Sequence, residues 1–325
     1  MKNSFIFLGY KIPNISSLKF ANLVKNALNK EGYEIERIGF LGTLDPFARG
    51  QMIMATNHYT RLLNHINTDY KTYRATLFLG LESRSLDTEN IVGFNETSKI
   101  LESKIKDSIE SIKGSVKYSA PLFSAKNIQG KRAYKLARAG ANFETKEVIS
   151  DIKYMKFISY NHPFITFEIE ISKGGYVRSI GQILCDLIGV KGSLCYLERI
   201  KEGEFCYKKI LRNKSDGLDL HLDSKIESSI IESKIKHNNS TQNIKLISLD
   251  IKNAISYDII SLLNHAKDSI NGAKIRLDSK EIRDIFNERS ADSGVFLADF
   301  GCHYGIIEAS KSGEVKYILN RIEKC

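Results

Sequence analysis

The chain has 325 residues, 42% of them apolar and 26% charged, with a formal net charge of +10; that length allows a sizeable core and favours one large domain with a smaller one. No apolar run nears the roughly 18 residues of a membrane span, and Phe5–Leu8 is too short for a signal-peptide core, so a cytoplasmic protein without a membrane partner is expected. Five cysteines with no C-x-x-C pair and no histidine at zinc-ligand spacing argue for reduced structural thiols, while the positive charge favours an anionic partner without saying which one.

Phe5–Leu8 reads as a short strand and Gly9–Ser17 as a loop ending on helix-capping serines. Phe20, Leu23, Val24, Ala27 and Leu28 then form the apolar stripe of a helix. Gly39–Gly50 carries three glycines and a proline, which predicts tight turns in place of a regular helix or strand. Its one acidic side chain is Asp45, and an Asp-Pro pair between glycines is by itself a turn former. Met52–Thr56 reads as a strand and Asn57–Ile66 as a short helix, where the seven-residue spacing of His58 and His65 is not that of a metal-binding pair. No metal site is expected. Tyr70–Gly80, rich in β-branched and aromatic residues, reads as a strand, and Ser83-x-Ser85-x-Asp87 as a polar turn or phosphate contact.

Ile100, Leu101, Ile105, Ile109 and Ile112 mark an amphipathic helix ending near Gly114. Phe164–Ile171 alternates, which places Ile165, Phe167, Ile169 and Ile171 on one face of a half-buried strand. The stripe Ile180, Ile183, Leu184, Leu187 and Ile188 follows as a helix, leaving Arg178 near a strand-to-helix junction. Periodicity fades over residues 211–243, where polar and charged residues predict a linker or insertion. Strand-like runs at Ala273–Leu277, Val295–Phe300, Tyr304–Ala309 and Val315–Leu319 then predict a small β-rich module over 244–325.

Several segments carry a pattern beyond secondary structure. Gly39–Gly50 has the form G-x-x-G-T-L-D-P-x-A-x-G, and Lys71-x-Tyr73 precedes Leu79-Gly80. Pro121, Phe123, Ser124, Ala125, Gly130, Tyr134, Ala137, Arg138 and Gly140 form a block, Ser172–Ile180 reads S-K-G-G-Y-V-R-S-I, and Leu197 precedes Gly203 and Phe205. In this order, over residues 8 to 205, the segments resemble the TruB family of tRNA pseudouridine synthases. The pattern is not followed throughout, and in its first motif Ile12 stands where proline is expected. Ala120 replaces the first proline of P-P-x-[YF]-S-A, Lys126 comes one place before the usual lysine with Asn127 in its position, Gly175 replaces threonine, and Phe40 stands where the family has a stacking histidine.

The resemblance implies an α+β (mixed α/β) fold: a pseudouridine-synthase catalytic domain over 1–210 around a central, largely antiparallel sheet, a polar linker or insertion over 211–243, and a small RNA-binding, PUA-like module over 244–325. It implies Asp45 as the catalytic carboxylate and Arg178 as its partner. Tyr73 would stack on the uracil, Tyr176 and Leu197 would complete the pocket wall, and Phe40 would fill the space that the extruded nucleotide leaves. The substrate implied is the T-stem-loop of tRNA, acted on by a monomer. No cofactor is implied, because electrons neither enter nor leave when uridine becomes pseudouridine. An RNA-binding tRNA folding factor without catalysis is the alternative, and a carboxylate-dependent glycosidase a third reading that lacks a second carboxylate at matching spacing.

Overall fold

The computed structural model describes residues 4–206 except 67, 125, 129, 142 and 144, together with 230–237, 240–248, 259–261, 294–299, 303–309 and 315–323. The chain opens with β1 (Ile6–Lys11) and α1 (Ser17–Lys30), whose first turn is closed by the Ser16 hydroxyl accepting from the Lys19 N–H at 3.1 Å. Then come β2 (Ile38–Phe40), β3 (Arg49–Thr56), a 3-10 turn over Asn57–His65, β4 (Tyr70–Leu79) and the small hairpin β5 (Leu81–Ser83) and β6 (Ile91–Phe94). Helix α2 (Glu102–Ser111) leads to β7 (Gly114–Ser119), the short pair β8 (Asn127–Ile128) and β9 (Lys131–Arg132), and α3 (Ala133–Arg138). The long antiparallel pair β10 (Glu147–Asn161) and β11 (Phe164–Ser172) delivers the chain to α4 (Val177–Ile188) and β12 (Gly192–Glu202).

Apart from the two-stranded pairs β5–β6 and β8–β9, these strands, with β13 (Ile230–His237) and β14 (Ser240–Ser248), build one ten-stranded sheet in the order β13-β14-β1-β3-β12-β4-β11-β10-β7, with β2 on β3. Every pair is antiparallel but one: β12 runs parallel to β3, with Glu198 and Arg199 beside Arg49 and Gly50. Gly50 has φ +126°, and a Cβ there would land on the Arg199 carbonyl oxygen, so only glycine lets the two strands meet. The loop carrying Asp45 therefore enters β3 beside Glu198 and Arg199 of β12.

The alternation expected in Phe164–Ile171 is present, with Ile165, Phe167, Ile169 and Ile171 all in the core beside Ile180, Leu184 and Ile188 of α4. Two apolar residues depart from their expected stripes. Leu101 precedes α2 and is 76% exposed, and Leu187 of α4 is half exposed, because each helix turns a narrower face to the sheet than its apolar residues span. The glycine-rich stretch is also more regular than expected, since β2 reaches Phe40 and β3 starts at Arg49, which confines the irregular loop to residues 41–48.

Residues 211–229 of the expected linker lie outside the described residues; Ile230–His237 and Ser240–Ser248 form a hairpin whose second strand pairs with β1. A four-stranded sheet follows, β15 (Ile259–Ser261), β16 (Gly294–Asp299), β17 (His303–Ala309) and β18 (Val315–Glu323). Leu297, Tyr304, Ile306 and Ile322 from it share a buried cluster with Ile6, Leu8, Ile53 and Tyr59. The strand expected over Ala273–Leu277 lies outside the described residues. Among the described residues no helix is long and apolar enough to cross a membrane.

Candidate active site

The loop 41–48 is fastened almost entirely through its backbone. Ser17, at the start of α1, accepts from the Leu44 N–H at 2.8 Å and donates to the Leu44 carbonyl at 2.9 Å. The Asn14 N–H donates to the Pro46 carbonyl at 2.8 Å, and the Ala48 N–H turns back to the Asp45 carbonyl at 3.1 Å. Lys11, on a strand and wholly buried, sends its ammonium to the carbonyls of Ile12, Pro46 and Ala48 at 3.0, 3.1 and 2.6 Å. Burial lowers its pKa to about 7, against the pull of the Asp45 and Glu89 carboxylates. With its backbone oxygens and nitrogens so occupied, the loop has little freedom, and the Asp45 side chain points where the backbone sends it.

Beneath the loop lies a largely buried cluster of charges. Lys71 Nζ is 2.6 Å from Glu202 Oε1, and Arg199 Nη2 is 3.4 Å from Glu202 Oε2, with Glu202 and Arg199 wholly enclosed. The Glu202 contacts are ionic and lack the alignment of hydrogen bonds. Arg199 also donates from Nε to the Gln51 carbonyl at 2.9 Å and from Nη2 to the Gly42 carbonyl at 3.1 Å, which ties the cluster to the loop above. Gly42 has φ +64° and a Cβ there would fall on the Lys71 ammonium, so backbone conformation and space both demand glycine. Burial lowers the Lys71 pKa, as does the neighbouring Arg199, while Glu202 opposes both.

Asp45 meets Arg178 at the mouth of this loop. Arg178 Nη2 donates to Asp45 Oδ1 at 2.9 Å, and Nε stands 2.9 Å from Oδ2, off the axis of its N–H. The arginine side chain is only 3% exposed, whereas Asp45 is 32% exposed and open to a cleft. Every other contact of the guanidinium is internal: Nη1 donates to the Ser85 carbonyl at 2.7 Å and to Asp87 Oδ2 at 3.2 Å, and Nη2 donates to the Phe123 carbonyl at 2.9 Å. Asp87 is itself held by the Ser85 hydroxyl at 2.5 Å and the Glu89 N–H at 2.9 Å. Its burial raises its pKa, while Arg178 and the Ser85 bond pull the other way.

The cleft above Asp45 encloses about 310 Å³. Tyr73, Tyr176, Leu197, Asp45 and Arg178 all line it, so the structure brings five of the six expected site residues together from β4, the turn before α4, α4 itself, β12 and the loop. Tyr73 and Leu197 are buried on the neighbouring strands β4 and β12, whereas Tyr176 immediately precedes α4. Lys71 and Lys173 bring positive charge to the same lining. Phe40 lies apart, at the end of β2 beside Met54, half-buried against the main core and outside the cleft lining.

The sequence reading of Ser83-x-Ser85-x-Asp87 as a polar turn holds, but Asp87 faces inward to Arg178 and no residue of the turn lines the cleft. The buried charges of Lys11, Asp87 and the Lys71–Glu202–Arg199 cluster were not expected, although a lysine ending an apolar strand and a glutamate closing another are unusual enough to have marked them. His58 and His65 stay on the 3-10 segment, and among the described residues no group of three or more histidines, cysteines or carboxylates could hold a metal ion.

Residues 30–177 match the family model described as the TruB family pseudouridylate synthase, N-terminal domain. The chain is 34% identical over 327 residues to a tRNA pseudouridine synthase B of Helicobacter hepaticus, covering 99% of this chain and 97% of that protein. It is 33% identical over 320 residues to a tRNA pseudouridine synthase B of Campylobacter jejuni, covering 98% and 99%. A chain of a solved Cbf5-Nop10-Gar1 complex superposes with a TM-score of 0.54 at 14% identity, over 98% of this chain and 84% of that one, a likeness of fold.

Proposed function

Because this chain belongs to the TruB family of pseudouridylate synthases, we propose that it isomerises uridine to pseudouridine in tRNA, at the T-loop uridine of conventional position 55, with Asp45 as the catalytic carboxylate. The observation that carries this reading is the Asp45–Arg178 pair, a half-open carboxylate gripped by a buried guanidinium on the floor of a cleft walled by two tyrosines and a leucine. Pseudouridine formation breaks the C1′–N1 bond, turns the freed uracil and joins C1′ to C5. The reaction calls for a carboxylate aimed at the sugar and a cavity that keeps the free base from escaping.

Asp45 serves as nucleophile at C1′ or as the base of a glycal route, and both start from a carboxylate whose direction is fixed. Arg178 fixes it. Because Asp87, Ser85 and Phe123 occupy the rest of the guanidinium, the arginine has no other orientation to adopt, and the acid is pre-positioned before the RNA arrives. The uridine must leave its stack to reach this cleft. Tyr73 and Tyr176 offer faces for the everted uracil, each such contact being worth about 1 to 3 kcal/mol, and Leu197 closes the wall against water. Phe40, on the strand leading into the loop, fills the stacking space left in the RNA. Lys71 and Lys173 in the lining, with the net charge of +10, suit a phosphate backbone bound in a salt-dependent manner. The four-stranded sheet near the C-terminus acts as a PUA-like RNA contact, and the chain works as a cytoplasmic monomer.

The test uses unmodified tRNA transcript tritiated at uridine C5, incubated with wild type and with Asp45→Asn, with tritium release and RNA binding measured separately. Release by wild type alone, from a transcript carrying uridine at position 55 and not from one with cytidine there, is the expected outcome. Tight binding with no release from either protein would favour the alternative of a tRNA folding factor.

A further inference from the structure

Tyr176 is the cleft wall that the sheet does not hold, since it sits on the turn between β11 and α4 and no side chain caps the helix that it begins. Its backbone N–H donates instead to the hydroxyl of Tyr118, on β7, at 2.9 Å. That hydroxyl lies 2.7 Å from Ser150 Oγ on β10. The two hydroxyls share one hydrogen bond that either can donate, so a single chain of bonds runs from the turn across two strands of the sheet. Tyr118 and Ser150 are both buried, and neither lines the cleft.

The residue before Tyr176 completes the arrangement. A Cβ at Gly175 would fall on Ile171 Cδ1 and stand 3.0 Å from Ser150 Oγ, so the space that a side chain would need is already taken by the group that Tyr118 bonds. Ordinary φ values leave glycine no conformational reason to be here; the reason is packing. Position 175 is also where this chain lacks the threonine of the pattern it otherwise follows.

On the reading that Tyr176 walls the uracil site, we infer that Tyr118 is a positioning residue of this enzyme: its hydroxyl, backed by Ser150 and permitted by the bare Gly175, sets the place of the Tyr176 ring against the base. The turn that carries the ring is then held by Tyr118 through the backbone. Losing the Tyr118 oxygen frees the turn without emptying the space that its ring fills, so the loss falls on geometry at the reacting base and leaves binding of the RNA body intact.

Tyr118→Phe is the variant of choice, because it keeps the ring and removes one oxygen. We expect kcat for tRNA pseudouridylation to fall about tenfold, with KM and tRNA binding within about twofold of wild type. In a Tyr176→Ala background the same change should cost nothing further, since the group that it positions is gone. Gly175→Ala should reproduce the kcat loss. An equal kcat loss in the wild-type and Tyr176→Ala backgrounds, or no loss from Tyr118→Phe at all, would overturn the inference. The hydrogen bond can also be followed without turnover: exchange of the Tyr176 amide hydrogen should quicken in Tyr118→Phe, and unchanged exchange would overturn the inference by itself. If wild type makes no pseudouridine, the proposed function fails, and the exchange measurement still decides whether Tyr118 holds the turn.

Discussion

Two buried arginines in the large sheet's domain face carboxylates, and the difference between their surroundings separates support from chemistry. Arg199 and Glu202 are both closed to solvent beside Lys71, and Arg199 also donates to the backbone carbonyls of Gln51 and Gly42. Arg178 is just as enclosed, but one of its two carboxylates, Asp45, is 32% exposed and borders the cleft. The enclosed Glu202–Arg199 pair can only hold its neighbours in place, because no substrate atom reaches it. An ion pair open on one side directs a reactive group without hiding it. The two sites are stacked, with the closed one beneath the loop whose far end carries the open one, so Arg199 acts on the shape of the loop and Arg178 on the aim of its acid.

The comparison breaks first at Asp45. Asp45→Asn should lower turnover by about 10⁴-fold or more and leave the midpoint of thermal unfolding nearly unchanged, measured by single-turnover tritium release and by a melt of the same preparation. A comparable loss of stability would mean that Asp45 belongs with the supporting charges. Glu202→Gln should behave in the opposite way. It leaves Lys71 and Arg199 enclosed without a counter-charge, a loss of about 3 to 5 kcal/mol by analogy with other broken buried pairs, read from urea unfolding. Turnover per folded molecule should fall far less than in Asp45→Asn.

Lys11 sharpens the picture through pH. Its folded pKa of about 7 lies below its ordinary 10.5, so the folded state holds this proton less tightly than the unfolded chain does. The contribution to stability is therefore fully present above 10.5 and is lost as pH falls toward 7, at up to about 1.4 kcal/mol per pH unit within that window. Unfolding free energies of wild type and Lys11→Met at pH 7 and pH 9.5 should converge or diverge accordingly: wild type gains relative to the variant as pH rises, and a constant difference would show that Lys11 does not titrate in the fold. The smallest effect is expected at Phe40, outside the cleft. Phe40→Ala should slow turnover several-fold, about what loss of one stacking contact costs, while Phe40→His should not; equal rates for the Ala variant and wild type would remove Phe40 from the reaction.

Much of this was legible in the residues. Alternation fixed Phe164–Ile171 as a strand buried on one face, the helical stripe placed Arg178 at the start of α4, and glycine spacing marked the Asp45 loop. The loop's limits were not legible, because strand pairing of Phe40 with Met54 and of Gly50 with Lys11 overrides the local preference of glycine for turns. Leu101 and Leu187 were read as core because periodicity reports which residues share a helix face and cannot report how much of that face the sheet covers. Asp87 was read as part of a polar turn or phosphate contact because only the fold brings it to a residue 91 positions away.

The sequence by itself determined which residues the chemistry requires, since reactive side chains and the glycines around them leave a pattern along the chain whatever the fold does. What only the tertiary structure decided is which charges are shut in and which is left open. The burial of Lys11, Lys71, Glu202, Arg199 and Asp87, and the exposure of Asp45, depend on strands and loops far apart in the chain meeting at one end of the sheet. Solvent access belongs to the packed assembly of elements, and no local run of residues encodes it.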